Sequence, residues 1–178
     1  MKNLLVAVIT IACLSCSAPQ QSTSNPAPVD TASGNYLGIK VGGLNISRDL
    51  GYNNGTSVGA LFGHDFPGND FAFELEMTGT VSPAEGTATA LGDLDVFTLA
   101  AYGVYRTPGA LYFKAKAGLV YEYFNVDLFG LPIEGDAIGL SLGIGGGYRI
   151  NDGLALELEY TAIEADIDLI SLGLNFAL

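Results

Sequence analysis

Along Phe71-Ala-Phe-Glu-Leu-Glu-Met77, apolar and polar side chains change places at every step. Phe71, Phe73, Leu75 and Met77 point one way, and Ala72, Glu74 and Glu76 the other. A period of two puts successive side chains on opposite faces of a sheet and is incompatible with a helix. The pattern recurs eight times, over residues 35–44, 56–63, 71–80, 94–105, 111–123, 137–150, 154–163 and 169–178. Most of these stretches reach the ~9–11 residues that a tilted strand needs to cross a bilayer.

The connections sort by parity. Those after strands two, four and six are 64–70 with Pro67-Gly-Asn, 106–110 with Thr107-Pro-Gly, and Asn151-Asp-Gly153. Pro presets φ in such turns, and Gly and Asn tolerate positive φ. Those after strands one, three and five are longer (45–55, 81–93 and 124–136), and the last, 164–168, is short but acidic. Short periplasmic turns and longer outer loops are the asymmetry of bacterial outer-membrane barrels. The fold expected is all-β: an eight-stranded antiparallel up-and-down transmembrane β-barrel with both ends of its strand series in the periplasm.

The N-terminal stretch supports export. Lys2 precedes a largely apolar run over 4–12, too short to span a bilayer as a helix, which needs ~20 residues. Thr10-Ile-Ala-Cys13 and Cys13-Leu-Ser-Cys16 each resemble a bacterial lipobox, making Cys13 and Cys16 lipidation candidates; ordinary cleavage near Ser17 is the alternative. These are the chain's two cysteines, so the body holds no disulfide framework. The organisation expected is a signal over 1–16, a Ser- and Pro-rich tether over 17–34 and a barrel domain over 35–178.

Sidedness follows from charge. A Lys or Arg facing lipid at mid-bilayer costs ~2–4 kcal/mol, so the face carrying ions must line the lumen. The mid-strand ions are Lys40, Lys114, Lys116 and Arg149 against Glu74, Glu76, Glu122, Glu157 and Glu159. Four bases and five acids can pair off, as buried charges must. Eight strands enclose only enough space for side chains, so a packed polar core is expected rather than a channel. The chain has no Trp. Tyr36, Tyr102, Tyr105, Tyr112, Tyr121, Tyr123, Tyr148 and Tyr160 fall near strand ends, where interfacial aromatic girdles are expected.

Several chemistries are disfavoured. Gly143-Ile-Gly-Gly-Gly147 runs into Tyr148-Arg149-Ile150 without the Lys-Ser/Thr or helix of a phosphate loop. His64 is the one histidine, beside a periplasmic turn and with no convergent Ser or Cys marked by the sequence, so no enzymatic activity is expected. The outer loops and strand ends hold ten acids: Asp49, Glu85, Asp93, Asp95, Asp127, Glu134, Asp136, Glu164, Asp166 and Asp168. Only Arg48 opposes them. That rim repels nucleic acid. A solvated surface is its simplest reading. The sharper one is that Asp93/Asp95 and Asp166/Asp168 hold Ca²⁺ or Mg²⁺ and bridge to lipopolysaccharide phosphates.

One stretch points to a family. Over 101–119, a Tyr-Gly-Val-Tyr-Arg strand end, a Thr-Pro-Gly turn and a Tyr-Phe-Lys-Ala-Lys-Ala-Gly strand resemble the small outer-membrane β-barrel proteins of porin-family, OmpA-like or opacity type. Members commonly end on an aromatic residue read by the assembly machinery. Here the end is Asn175-Phe-Ala-Leu178, so Phe176 or Leu178 takes that role. The resemblance implies a monomeric, cofactor-free barrel in contact with outer-membrane lipid and lipopolysaccharide, with a structural, adhesive or surface-interaction role and an unspecified loop partner. The alternatives are a narrow solute pore and a soluble, lipocalin-like ligand-binding barrel.

Overall fold

The computed structural model describes residues 34–46, 53–86, 91–128, 131–164 and 167–178. Eight strands follow in order: β1 Asn35–Ile46, β2 Gly55–Asp65, β3 Phe71–Ser82, β4 Leu91–Arg106, β5 Leu111–Leu128, β6 Leu131–Asn151, β7 Leu154–Glu164 and β8 Ile167–Ala177. Each pairs antiparallel with its neighbours, and β8 returns to β1 to close the barrel. The signal, its two cysteines and most of the tether lie outside the described residues.

Paired residues trace the tilt. From Asn35 the register runs through His64, Phe73, Gly103, Ala117, Leu142, Ala162 and Asp168, and returns to β1 at Asn45, ten residues on from Asn35. With ~3.3 Å per residue along strands and ~4.8 Å between them, that stagger over eight strands gives a tilt of about 40°.

The turns follow their sequences. Gly68 and Gly109 carry φ of 75° and 115°, left-handed conformations that a Cβ would strain. In the β4–β5 turn, Thr107 N–H donates to the Phe113 carbonyl (2.9 Å) and Thr107 Oγ1 accepts from Phe113 N–H (2.8 Å). The β6–β7 turn is fixed by Gly153 N–H donating to Asn151 Oδ1 (2.9 Å).

One expected loop is not a loop. Residues 124–128 and 131–136 continue β5 and β6 as a ladder from Tyr123↔Asp136 to Leu128↔Leu131. These six pairs extend the hairpin by about 20 Å along the strands. Its inner side packs, since Phe124 and Val126 lie against the buried apolar cluster.

The apolar faces turn outward. Ile39, Leu75, Leu99, Leu119, Leu142, Leu158 and Leu172 are all exposed, while their strand neighbours on the other face are buried or half-buried. This excludes the lipocalin-like alternative, in which the apolar face would line the interior.

Candidate functional site

The lumen is built in layers. Nearest the periplasm, Arg106 at the end of β4 reaches across the barrel. It pairs with Asp65 (3.1 Å) and Glu157 (3.2 Å) and closely with Glu74. Lys114 sits between Glu74 (3.0 Å), Glu157 (2.9 Å) and Glu159 (2.9 Å). Lys116 pairs with Glu76 (2.9 Å) and Glu159 (2.6 Å), and Lys40 with the same two at 2.6 and 3.3 Å. Glu74, Glu76, Glu157 and Glu159 thus each meet at least two cations. Such sharing offsets the desolvation that makes an isolated buried ion costly.

Tyrosines complete this layer. Tyr36 hydroxyl donates to Glu74 Oε1 (2.8 Å) and accepts from Arg106 Nη2 (2.8 Å), while Tyr112 hydroxyl donates to Glu157 Oε1 (2.6 Å). Two glycines make room for the rings. A Cβ on Gly63 would lie 1.9 Å from Tyr36 Cζ, and one on Gly147 would lie 2.2 Å from Tyr112 Cζ. Further out comes a layer of hydroxyl contacts: Thr78 bonds Thr98, and Tyr102 hydroxyl bonds Ser141 (3.0 Å).

At the outer end the lumen turns apolar. Leu44, Ile46, Leu94, Val96, Ile163 and Leu169 are buried in one cluster, with Phe124, Val126 and Ile167 against it. The packed polar core expected from sequence is therefore an ionic inner part under an apolar cap. The inward positions of β1, β4, β7 and β8 change character near the outer end, as Lys40 gives way to Leu44 and Glu159 to Ile163.

Of the ions picked from sequence, Lys40, Glu74, Glu76, Lys114, Lys116, Glu157 and Glu159 meet in this network. Glu122 is buried further out on β5, in register with Thr98 and Ala137. Arg149 is displaced to the periplasmic mouth, where it stacks over Tyr112 (4.5 Å) and donates to the Gly109 carbonyl. Arg106 and Asp65 were missed because both adjoin turn sequences, although Arg106 is in phase with inward Tyr102 and Val104. Tyr36, Tyr102 and Tyr112 are not girdle residues. Their rings are buried in the lumen, whereas Tyr105, Tyr121, Tyr123, Tyr148 and Tyr160 are exposed.

At the outer rim, Asp93 and Asp95 are exposed on β4, with Asp95 Oδ1 accepting from Thr80 Oγ1 (3.0 Å). Asp168 is half-buried on β8, and Asp166 lies outside the described residues. Among the described residues, no three His, Cys, Asp or Glu converge on a metal-sized site. His64 Nδ1 lies 2.9 Å from Asn35 Oδ1.

This fold and lumen define an outer-membrane barrel. The family model for the outer membrane protein beta-barrel domain matches residues 8–177, and the chain belongs to that family. Among solved structures it is similar to Neisserial surface protein A, with 21% identity, TM-score 0.68, and 82% of this chain and 98% of that one covered. It is also similar to Ail, the attachment invasion locus protein of Yersinia pestis (14%, TM-score 0.60, 82% and 99%). The N-terminal barrel of Pseudomonas aeruginosa OprF is a third (14%, TM-score 0.58, 82% and 99%). No curated protein matches the sequence. The protein is a component of the bacterial outer membrane.

Proposed function

We propose that the barrel is a non-enzymatic surface-interaction protein, a sealed scaffold that carries a sheet of β4, β5 and β6 beyond the outer leaflet. The observation that carries this reading is the free edge of β6. Its pairing with β7 stops at Leu142, yet it continues to Leu131, paired with β5 on one side only among the described residues. An unpaired edge presents a row of N–H and C=O groups on which an extended segment of another protein can add as a strand.

Charge selects the partner. Glu134 and Asp136 are exposed on this edge, and Asp93 and Asp95 on nearby β4. Every described Lys and Arg lies in the lumen or at its periplasmic mouth. The partner segment is therefore basic. The same acids discourage two copies from pairing edge to edge. A surface role is also in keeping with the attachment named for the Yersinia pestis relative.

Hydrogen exchange on the protein in lipid nanodiscs tests this. An alternating Lys-Val peptide is expected to slow exchange of backbone amides in 131–141, and a Glu-Val peptide is not. Unchanged exchange with the basic peptide, or equal protection by the acidic one, would overturn the reading.

A further inference from the structure

A cavity of ≈ 540 Å³ opens at the periplasmic mouth, beneath the ionic layer and between the β4–β5 and β6–β7 turns. Arg149, Tyr112, Asp65, Arg106 and Asp152 are among its walls. The proposed surface role makes no use of it.

Arg149 is the unusual member. Lys40, Arg106, Lys114 and Lys116 each have at least two carboxylates at ion-pair distance. Among the described residues, Arg149 has none. Its guanidinium is nonetheless held in place, with Cζ over the Tyr112 ring, 4.5 Å from its centroid, and one N–H on the Gly109 carbonyl. A guanidinium carries five N–H donors in a rigid fork that matches a carboxylate in bidentate fashion. Held by these two contacts, it loses little freedom when an anion docks.

The opposite charge is available on the same walls. Asp65 gives one oxygen to Arg106 at 3.1 Å, and its side chain is still 36% exposed. Asp152, in the β6–β7 turn, is exposed. A phosphate dianion would meet these acids as well as the arginine. A ligand with one carboxylate and one ammonium group complements both.

We propose that this vestibule is a binding site for a free amino acid or dipeptide, with its carboxylate on Arg149 and its ammonium group toward Asp65. Such ligands are small enough to enter from the periplasm without crossing the sealed lumen.

The test is an amide NMR titration of the ¹⁵N-labelled full chain, folded in detergent micelles, with three probes: alanyl-alanine, its C-terminal amide and its N-acetyl derivative. Alanyl-alanine is expected to give saturable shifts at Gly109, Ala110 and Gly153. Loss of one charged contact, in the C-terminal amide or in Arg149→Gln, is expected to weaken binding about tenfold. Asp65→Asn is expected to weaken alanyl-alanine but not its N-acetyl derivative. Arg149→Lys keeps the charge without the fork and is expected to fall between wild type and Arg149→Gln. It also serves if the Gln variant fails to fold. No saturable shift at these turns, or equal binding of the acid and its amide, would overturn the proposal.

Discussion

At the scale of single residues, Arg106 joins the most partners across the lumen. It ties β2, β3 and β7 to β4 through Asp65, Glu74 and Glu157 and supports the Tyr36 hydroxyl. Removing one side of a buried ion pair leaves the other unpaired and costs about 3–5 kcal/mol. Arg106→Gln is therefore expected to lower the urea midpoint of unfolding, read from the folded and unfolded bands of an unboiled gel. Gly63 makes a second case. Its missing Cβ is replaced by the ring of Tyr36, and overpacking costs roughly 1–3 kcal/mol. Gly63→Ala is expected to destabilise by that amount and to move the Tyr36 hydroxyl off Glu74. A midpoint equal to wild type would show that the ring has another place to go. Neither residue announces itself in the sequence. Arginine before Thr-Pro-Gly reads as part of a turn, and the role of a glycine depends on which ring faces it from the next strand.

At the scale of elements, strand parity decides the effect of a charge. Leu158 on β7 faces outward, flanked in the sheet by Gly146 and Leu172, while Glu157 and Glu159 face the lumen. Leu158→Arg is expected to cost about 2–4 kcal/mol in lipid vesicles if it lies near mid-bilayer. Equal stability of the variant would place that position at the interface. The eight strands were legible because a period of two is local, written within each segment as in Phe71–Met77. The hairpin beyond Tyr123 was not. Its acids, glycines and Pro132 read as a loop, and only pairing with a partner strand makes them a ladder. The tyrosines were misplaced for a related reason. Residue type says that a ring favours the interface, but only phase within the strand says whether it faces lipid or lumen. Thus Tyr112, alternating with outward Phe113, faces in, and Tyr121 faces out.

At the scale of the whole molecule, the lumen is closed twice, by the shared ion pairs of Lys40, Arg106, Lys114 and Lys116 on the periplasmic side and by apolar packing on the outer side. Ions crossing it would have to break the first and dehydrate through the second. Planar-bilayer recordings of the purified protein are expected to show no stable conductance. Steady single-channel steps would restore the narrow pore as the better reading. The ionic network also bears on how the barrel is made. Seven of the eight seams join neighbours in sequence and can form as local hairpins, but β1 meets β8 only across nearly the whole domain. Lys40 of β1 reaches Glu159 of β7 across that final seam. Until the circle closes, this lysine has no β7 partner and the growing sheet has a polar face that lipid will not accept. Closing the circle before the lumen charges meet lipid lets them enter the membrane already sheltered by each other.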